Sequence, residues 1–321
     1  MSTSLRPLGP LLGAVARSAA ALERLTPLLR TDPPWRRAWL DRLAVIETAG
    51  AASLHSGGPV LPDDVRDVDH AIATGPRARI IHGVRALWRV EAERRPLEVD
   101  LPLLLDALGR TVEVAPDRLV AARLTSGQGA AAAYIPNPVE RAATLVAFAE
   151  DLEDLTGGLP ALPAAAAVLG AWAERGCGPI ATGCWIAARV LARRQRWTLT
   201  PPLLASGFLA HGTDYMPRID NGDWVIALAN AVERAVNRAI ALFGSMERRF
   251  LALDTAPGAR RADVLSAVRT LARGRDSFDA VDIARASGAP ERTARRHLET
   301  LMTAGALQEL TGRKSYRLYG L

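Results

Sequence analysis

Apolar residues recur every three to four positions along most of the chain, the period of a helix with one buried face. At the N-terminal end Leu8, Leu12, Val15, Leu22, Leu25 and Leu29 keep that spacing. The pattern predicts helices over 35–53, over 77–93 with Ile80, Ile81, Val84, Leu87 and Val90 at core positions, and over 101–108. A further helix over 138–155 is entered through Pro136-Asn137-Pro138, proline being tolerated in a first turn. Two more, over 162–174 and 185–196, flank a run of small residues. A long helix over 223–253 closes this region, whose single predicted β element lies near 126–136.

The last sixty residues change pattern. Val264, Leu265, Val268 and Leu271 mark one face of a helix over 261–271, and a short helix over 281–287 follows. Gly288-Ala289-Pro290 turns into a helix over 291–304 that buries Ala294, Leu298 and Leu301, and Gly305 ends it as a C′ glycine does. ALQELTGRKSYRLYGL then reads as strand, turn and strand with its tip at 311–314. Three helices and a β-hairpin predict a winged helix-turn-helix domain over 260–321. A helical domain precedes it over 1–255, with N-terminal helices to 110 and a core over 111–255. The expected fold class is mainly α.

Charge sharpens this division. The chain carries +6, and twelve basic against seven acidic residues from Arg260 onward supply five of those charges, leaving one for residues 1–259. Such asymmetry is the footprint of a nucleic-acid-binding appendage. In a winged helix-turn-helix the second helix of the pair enters the major groove by its N-terminal half, and the wing meets the backbone. That places Arg292, Thr293, Arg295 and Arg296 toward the bases and Arg313 and Lys314 on phosphates. Arginine suits the O6/N7 edge of guanine and phosphate alike. Double-stranded DNA is the partner expected from these residues.

No apolar run approaches the roughly 18 residues of a membrane span, and no membrane association is expected. The mildly apolar stretch 7–16 holds two prolines and two glycines, unlike a leader peptide's core, and continues the helical spacing instead. Cys177 and Cys184 form neither a disulfide framework nor a CxxC pair, which points to a reducing cytoplasm. Two thiols seven apart match no common metal spacing, and the five histidines are scattered, so neither metal nor cofactor is expected.

GPIATGCWIAAR, residues 178–189, has the shape of a phosphate site: a small-residue turn running into a helix whose free N–H groups could face an anion. It contains no histidine, carboxylate or lysine. Cys184 near the helix start could act as a nucleophile if its thiol pKa were lowered, but no histidine lies beside it in sequence, and cysteine more often serves as a small buried apolar residue.

Several segments in this order resemble the Fic-domain family, best known for transferring AMP from ATP to protein hydroxyls. AAAAYIPNPVE at 130–140 is similar to the family's flap hairpin, with Tyr134, Ile135 and Pro136 in it. HGTDYMPRIDNGDW at 211–224 is similar to its late segment, and GPIATGCWIAAR takes the place of the signature HPFx(D/E)GNGRxxR. On that signature Pro179, Gly183 and Arg189 match. Gly178 stands where the proton-accepting histidine should be, Ile180 replaces phenylalanine, and Thr182 replaces the carboxylate that holds Mg²⁺. Cys184, Trp185 and Ile186 replace asparagine, glycine and the phosphate-gripping first arginine. Loss of a general base alone costs about 10²- to 10⁴-fold, and lost charge stabilisation adds to that. The resemblance, covering roughly residues 40–255, therefore implies a catalytically inactive Fic-like body. A C-terminal winged helix is a frequent companion of this fold and implies a bacterial origin.

Three functions follow in order. The first is a DNA-binding regulator whose Fic-like body supplies homodimerisation or effector response. The second is an interaction or scaffold protein whose winged helix meets a protein partner. The third is a nucleotidyl-transferring enzyme with an altered motif.

Overall fold

The computed structural model describes residues 8–56, 58–91, 99–112, 138–208, 223–255, 261–313 and 316–321. The chain is mainly helical. Among the described residues there are thirteen helices: α1 Leu8–Arg30, α2 Arg36–Ser56, α3 Pro62–Asp69, α4 Pro76–Glu91, α5 Leu101–Val112, α6 Pro138–Thr156, α7 Ala161–Glu174, α8 Ile180–Arg194, α9 Ala205–Phe208, α10 Asp223–Thr255, α11 Ala262–Gly274, α12 Ala280–Ser287 and α13 Glu291–Thr303. Two short strands, β1 Gln308–Glu309 and β2 Tyr319–Gly320, pair antiparallel, Gln308 with Gly320 and Glu309 with Tyr319. No described helix is long and apolar enough to cross a membrane.

The chain divides into two compact units, one of Met1–Arg30 with Ile46–Val236 and the other of Thr31–Val45 with Asn237–Leu321. In the first, helix α8 is buried along most of its length, with every residue from Ala181 to Ala192 inside. It begins at Ile180, directly after Pro179, so the expected turn over 178–183 is mostly the first turn of a helix. Glycine weakens a helix interior by about 0.5–1 kcal/mol relative to alanine, and here packing outweighs that penalty. A Cβ on Gly183 would lie 2.5 Å from Trp172 Cδ1 and 3.1 Å from Leu169 Cδ1, so α7 can lie this close to α8 only against glycine. Trp172 in turn meets Phe148 of α6 edge-on at 5.3 Å and 84°, a favoured aromatic geometry. Around this core, Trp197 donates to Thr26 Oγ1 (3.0 Å), and Asp69 of α3 receives Arg85 (3.0 Å) and Arg89 (2.8 Å) of α4.

In the second unit, Trp35 and Trp39 pack edge-on against Phe243 at 4.3 and 5.2 Å, and Trp39 Nε1 donates to the Ala239 carbonyl (3.0 Å). Arg42 is buried; its Nε pairs with the Asp276 carboxylate, while its Nη groups donate to the carbonyls of Asp276 and Leu321, both at 2.7 Å. Helix α12 starts in a reciprocal cap, Asp279 accepting from the Asp282 N–H (2.7 Å) and Asp282 accepting from the Asp279 N–H (3.3 Å). It stops at Gly288, whose φ of +70° is left-handed. Helix α13 is held by buried Ala294, Leu298 and Leu301, the three residues its periodicity marks. Phe278 bridges Tyr319, which ties the α11–α12 connection to β2.

The helix spacing at 8–29, 35–53, 101–108, 138–155 and 223–253 corresponds to α1, α2, α5, α6 and α10, each end within four residues. The helices α3 and α9 were not expected. The predicted β element at 126–136 lies outside the described residues.

Candidate functional site: a buried motif and a basic helix

The first turn of the motif helix closes on Pro179. The N–H groups of Thr182 and Gly183 both donate to the Pro179 carbonyl, at 3.0 and 3.3 Å. Trp172 Nε1 donates to the Gly178 and Pro179 carbonyls at 3.3 and 3.1 Å, so this corner is fastened to α7. Gly178 is exposed and Ile180 half-buried, but Thr182, Cys184, Trp185, Ile186 and Arg189 are all buried. At position 178 a Cβ would lie 2.6 Å from Leu108 Cδ2 and 3.2 Å from Trp172 Cζ2. No side chain fits there without moving Leu108.

Arg189, fully buried, places its guanidinium 5.2 Å from the centre of the Trp185 ring, one helical turn back. A desolvated cation over an indole face gains about 2 kcal/mol, so Trp185 and Arg189 act as one packed unit. Trp185 Nε1 is buried with no hydrogen-bond partner among the described residues.

Both thiols are poor nucleophiles. Burial, and then the charge of Glu47, push the Cys184 thiol far above its ordinary range. Burial pushes Cys177 up to about 11, against a smaller opposing pull from Arg175. At neutral pH both stay protonated, and the thiolate is the reactive form.

Glu47, on α2, is the residue that sequence reasoning missed here. Its carboxylate accepts the N–H groups of Leu204 (2.8 Å), Ala205 and Ser206 (2.8 Å), holding the start of α9 in the interior. Burial raises its pKa, although all three N–H groups pull it down. A single acid in the apolar run LAVIETAGAASL, residues 43–54, was the available signal. Among the described residues no group of three or more His, Cys, Asp or Glu is placed to hold a metal.

In the second unit the proposed base-facing residues lie together. Arg292, Arg295 and Arg296 are exposed on α13, and Thr293 is half-buried. Arg295 already pairs with Glu291 one turn earlier, at 2.6 Å. Arg313 is half-buried beyond β1, while Lys314 lies outside the described residues. Arg317 reaches Glu309 (3.8 Å) and Glu299 (4.0 Å), joining the strand pair to α13. The flap residues Tyr134, Ile135 and Pro136, and most of the segment 211–224, also lie outside the described residues.

Among solved structures the chain is similar to a Fic family protein from Desulfovibrio desulfuricans G20, with a TM-score of 0.52. That alignment covers 98% of this chain and 96% of the other, at 14% identity, so the likeness is one of fold. No curated protein matches the sequence. A family profile matches residues 12–321, nearly the full length, and the chain therefore belongs to the family described as protein of unknown function (DUF1403).

Proposed function

We propose that the protein is a DNA-binding regulator in which a catalytically inactive Fic-like body is coupled to a winged helix-turn-helix formed by α11–α13 and the β1–β2 pair. The observation that carries this reading is the exposed guanidinium group on α13: Arg292, Arg295 and Arg296 face solvent at the start of the second helix of a helix–turn–helix pair. In that geometry the helix N-terminal half reads base edges and the hairpin grips the backbone. Arg292, Thr293, Arg295 and Arg296 address the major groove, while Arg313 and Lys314 hold phosphates.

The inactivity of the body rests on GPIATGCWIAAR. Gly178, Thr182 and Ile186 offer no base, no metal ligand and no phosphate clamp, and from Thr182 onward the motif positions are buried. With Trp185 and Arg189 stacked in that interior, the helix acts as a core element. The body's contribution to regulation is dimerisation or effector response.

Fluorescence anisotropy on random and genome-selected duplexes across a salt series tests the reading. Replacing Arg292 or Arg296 by alanine costs about 1–3 kcal/mol and relaxes sequence preference, while replacing Lys314 weakens all duplexes alike and lowers the salt slope by about one. A wild-type chain that binds no duplex at low salt overturns the proposal and leaves the C-terminal module as a protein-contact surface.

A further inference from the structure

Helix α13 begins on Pro290, whose carbonyl accepts the N–H groups of Thr293 and Ala294 at 2.8 and 3.1 Å, so Glu291 is its first residue. The Glu291 side chain is exposed, and its Oε1 accepts from Nη2 of the exposed Arg295, one turn later, at 2.6 Å. Among the described residues Glu291 Oε2 makes no hydrogen bond, so half of the carboxylate is left to accept from outside the chain. Residues 291–296 hold this one acid and three arginines, a net charge of +2, so the helix start still attracts phosphate. The next acid on the helix, Glu299, lies one turn beyond Arg295 and 4.0 Å from Arg317.

An acid in a first turn favours the helix dipole. On a helix that enters DNA by its N-terminal half, the same acid meets a second constraint. Phosphates offer only acceptors, and an ionised carboxylate has no proton to give them. The donors in the major groove are the N4 amino group of cytosine and the N6 amino group of adenine. Adenine sets its amino group beside the N7 acceptor, which suits a side chain with both a donor and an acceptor, such as asparagine or glutamine. A C·G pair presents the N4 donor on one base and the O6 and N7 acceptors on the other. That division matches a carboxylate and a guanidinium held 2.6 Å apart.

We propose that Glu291, held by Arg295, is a base-reading residue that accepts from the N4 amino group of a cytosine in the major groove. This inference rests on the DNA-binding reading above and deepens it, since it names one base that the recognised duplex contains. The ion pair carries no net charge, so its contribution is to sequence preference, while Arg292 and Arg296 supply attraction to the duplex.

The experiment uses full-length wild type, E291A and E291Q. Selection from a random duplex pool with the wild type gives the preferred sequence, and anisotropy then measures affinity for duplexes altered at one base pair at a time. The decisive probe is N4-methylcytosine, whose methyl group takes the place of the groove-facing N–H while pairing with guanine is kept. Methylation of the cytosine read by Glu291 is expected to weaken wild-type binding about 5- to 150-fold. In E291A the same methylation costs no more than about twofold, whatever the overall affinity. E291Q narrows the gap between C·G and A·T at this position, because glutamine supplies the donor that adenine N7 needs.

Both variants alter an exposed side chain, and thermal unfolding followed by circular dichroism checks that they share the wild-type fold. Penalties in E291A that match the wild type at every methylated cytosine overturn the proposal and leave base reading to the arginines of α13. Wild-type binding without sequence preference also overturns it. Absence of duplex binding by the wild type removes it together with the DNA-binding reading.

Discussion

A methyl group at Gly183 would sit 2.5 Å from Trp172 Cδ1, a separation real Cβ atoms do not adopt. Gly183→Ala is therefore expected to destabilise the chain by about 1–3 kcal/mol, the usual cost of overpacking, measured as a drop in the urea midpoint at unchanged m-value. Glu47 makes a second prediction at this scale. Its carboxyl pKa is raised above 4.5, mainly by burial, so the folded chain takes up its proton at a pH where the unfolded chain has already lost it. Stability from this one group accordingly grows as pH falls through the window above 4.5 and is lost as pH rises through it. Denaturation of wild type and Glu47→Gln should show the wild type gaining on the variant between pH 7 and 4.5; a constant or reversed gap refutes the assignment. The exposure of Arg292, Arg295 and Arg296 was legible, because Ala294, Leu298 and Leu301 mark the opposite face. The roles of Glu47 and Arg42 were not. Their partners lie 157–159 and 234 or more residues away, and local periodicity carries no information about such pairs.

At the scale of elements, long amphipathic segments could be read and short ones could not. Helices α3 and α9 have eight and four residues, too few turns for an apolar stripe to show a period. The start of α8 was misplaced for a different reason: glycine and proline read locally as turn, whereas burial against α7 lets the helix run through Gly183 from Ile180. Helix α12 is as short as α3 yet was predicted, because its glycine stop and the regular helices beside it mark the position. Its reciprocal Asp279–Asp282 cap makes it sensitive to a single change. Asp279→Ala removes the acceptor for the Asp282 N–H and is expected to cost about 1 kcal/mol. Thermal unfolding is the measurement, and a melting temperature unchanged from wild type would show that the cap contributes nothing.

For the whole molecule, helix-rich composition and the order of Fic-like segments were enough to anticipate a mainly helical chain and the solved structure it resembles. The described residues end short of the flap and the late segment, which carried two of the three resemblances. The prediction at this scale is catalytic silence: radiolabelled ATP incubated with the protein, Mg²⁺ and cell extract should leave no label above a control without the protein. Label that disappears in Arg189→Ala or Cys184→Ala would reverse the reading of the motif. The space around Gly178 sets what this corner of the chain tolerates. A side chain placed there would strike Leu108 Cδ2 and press on the Trp172 ring. Any larger residue at 178 therefore has to be answered by α5 and α7 together, so three elements meet at one position that only glycine leaves undisturbed.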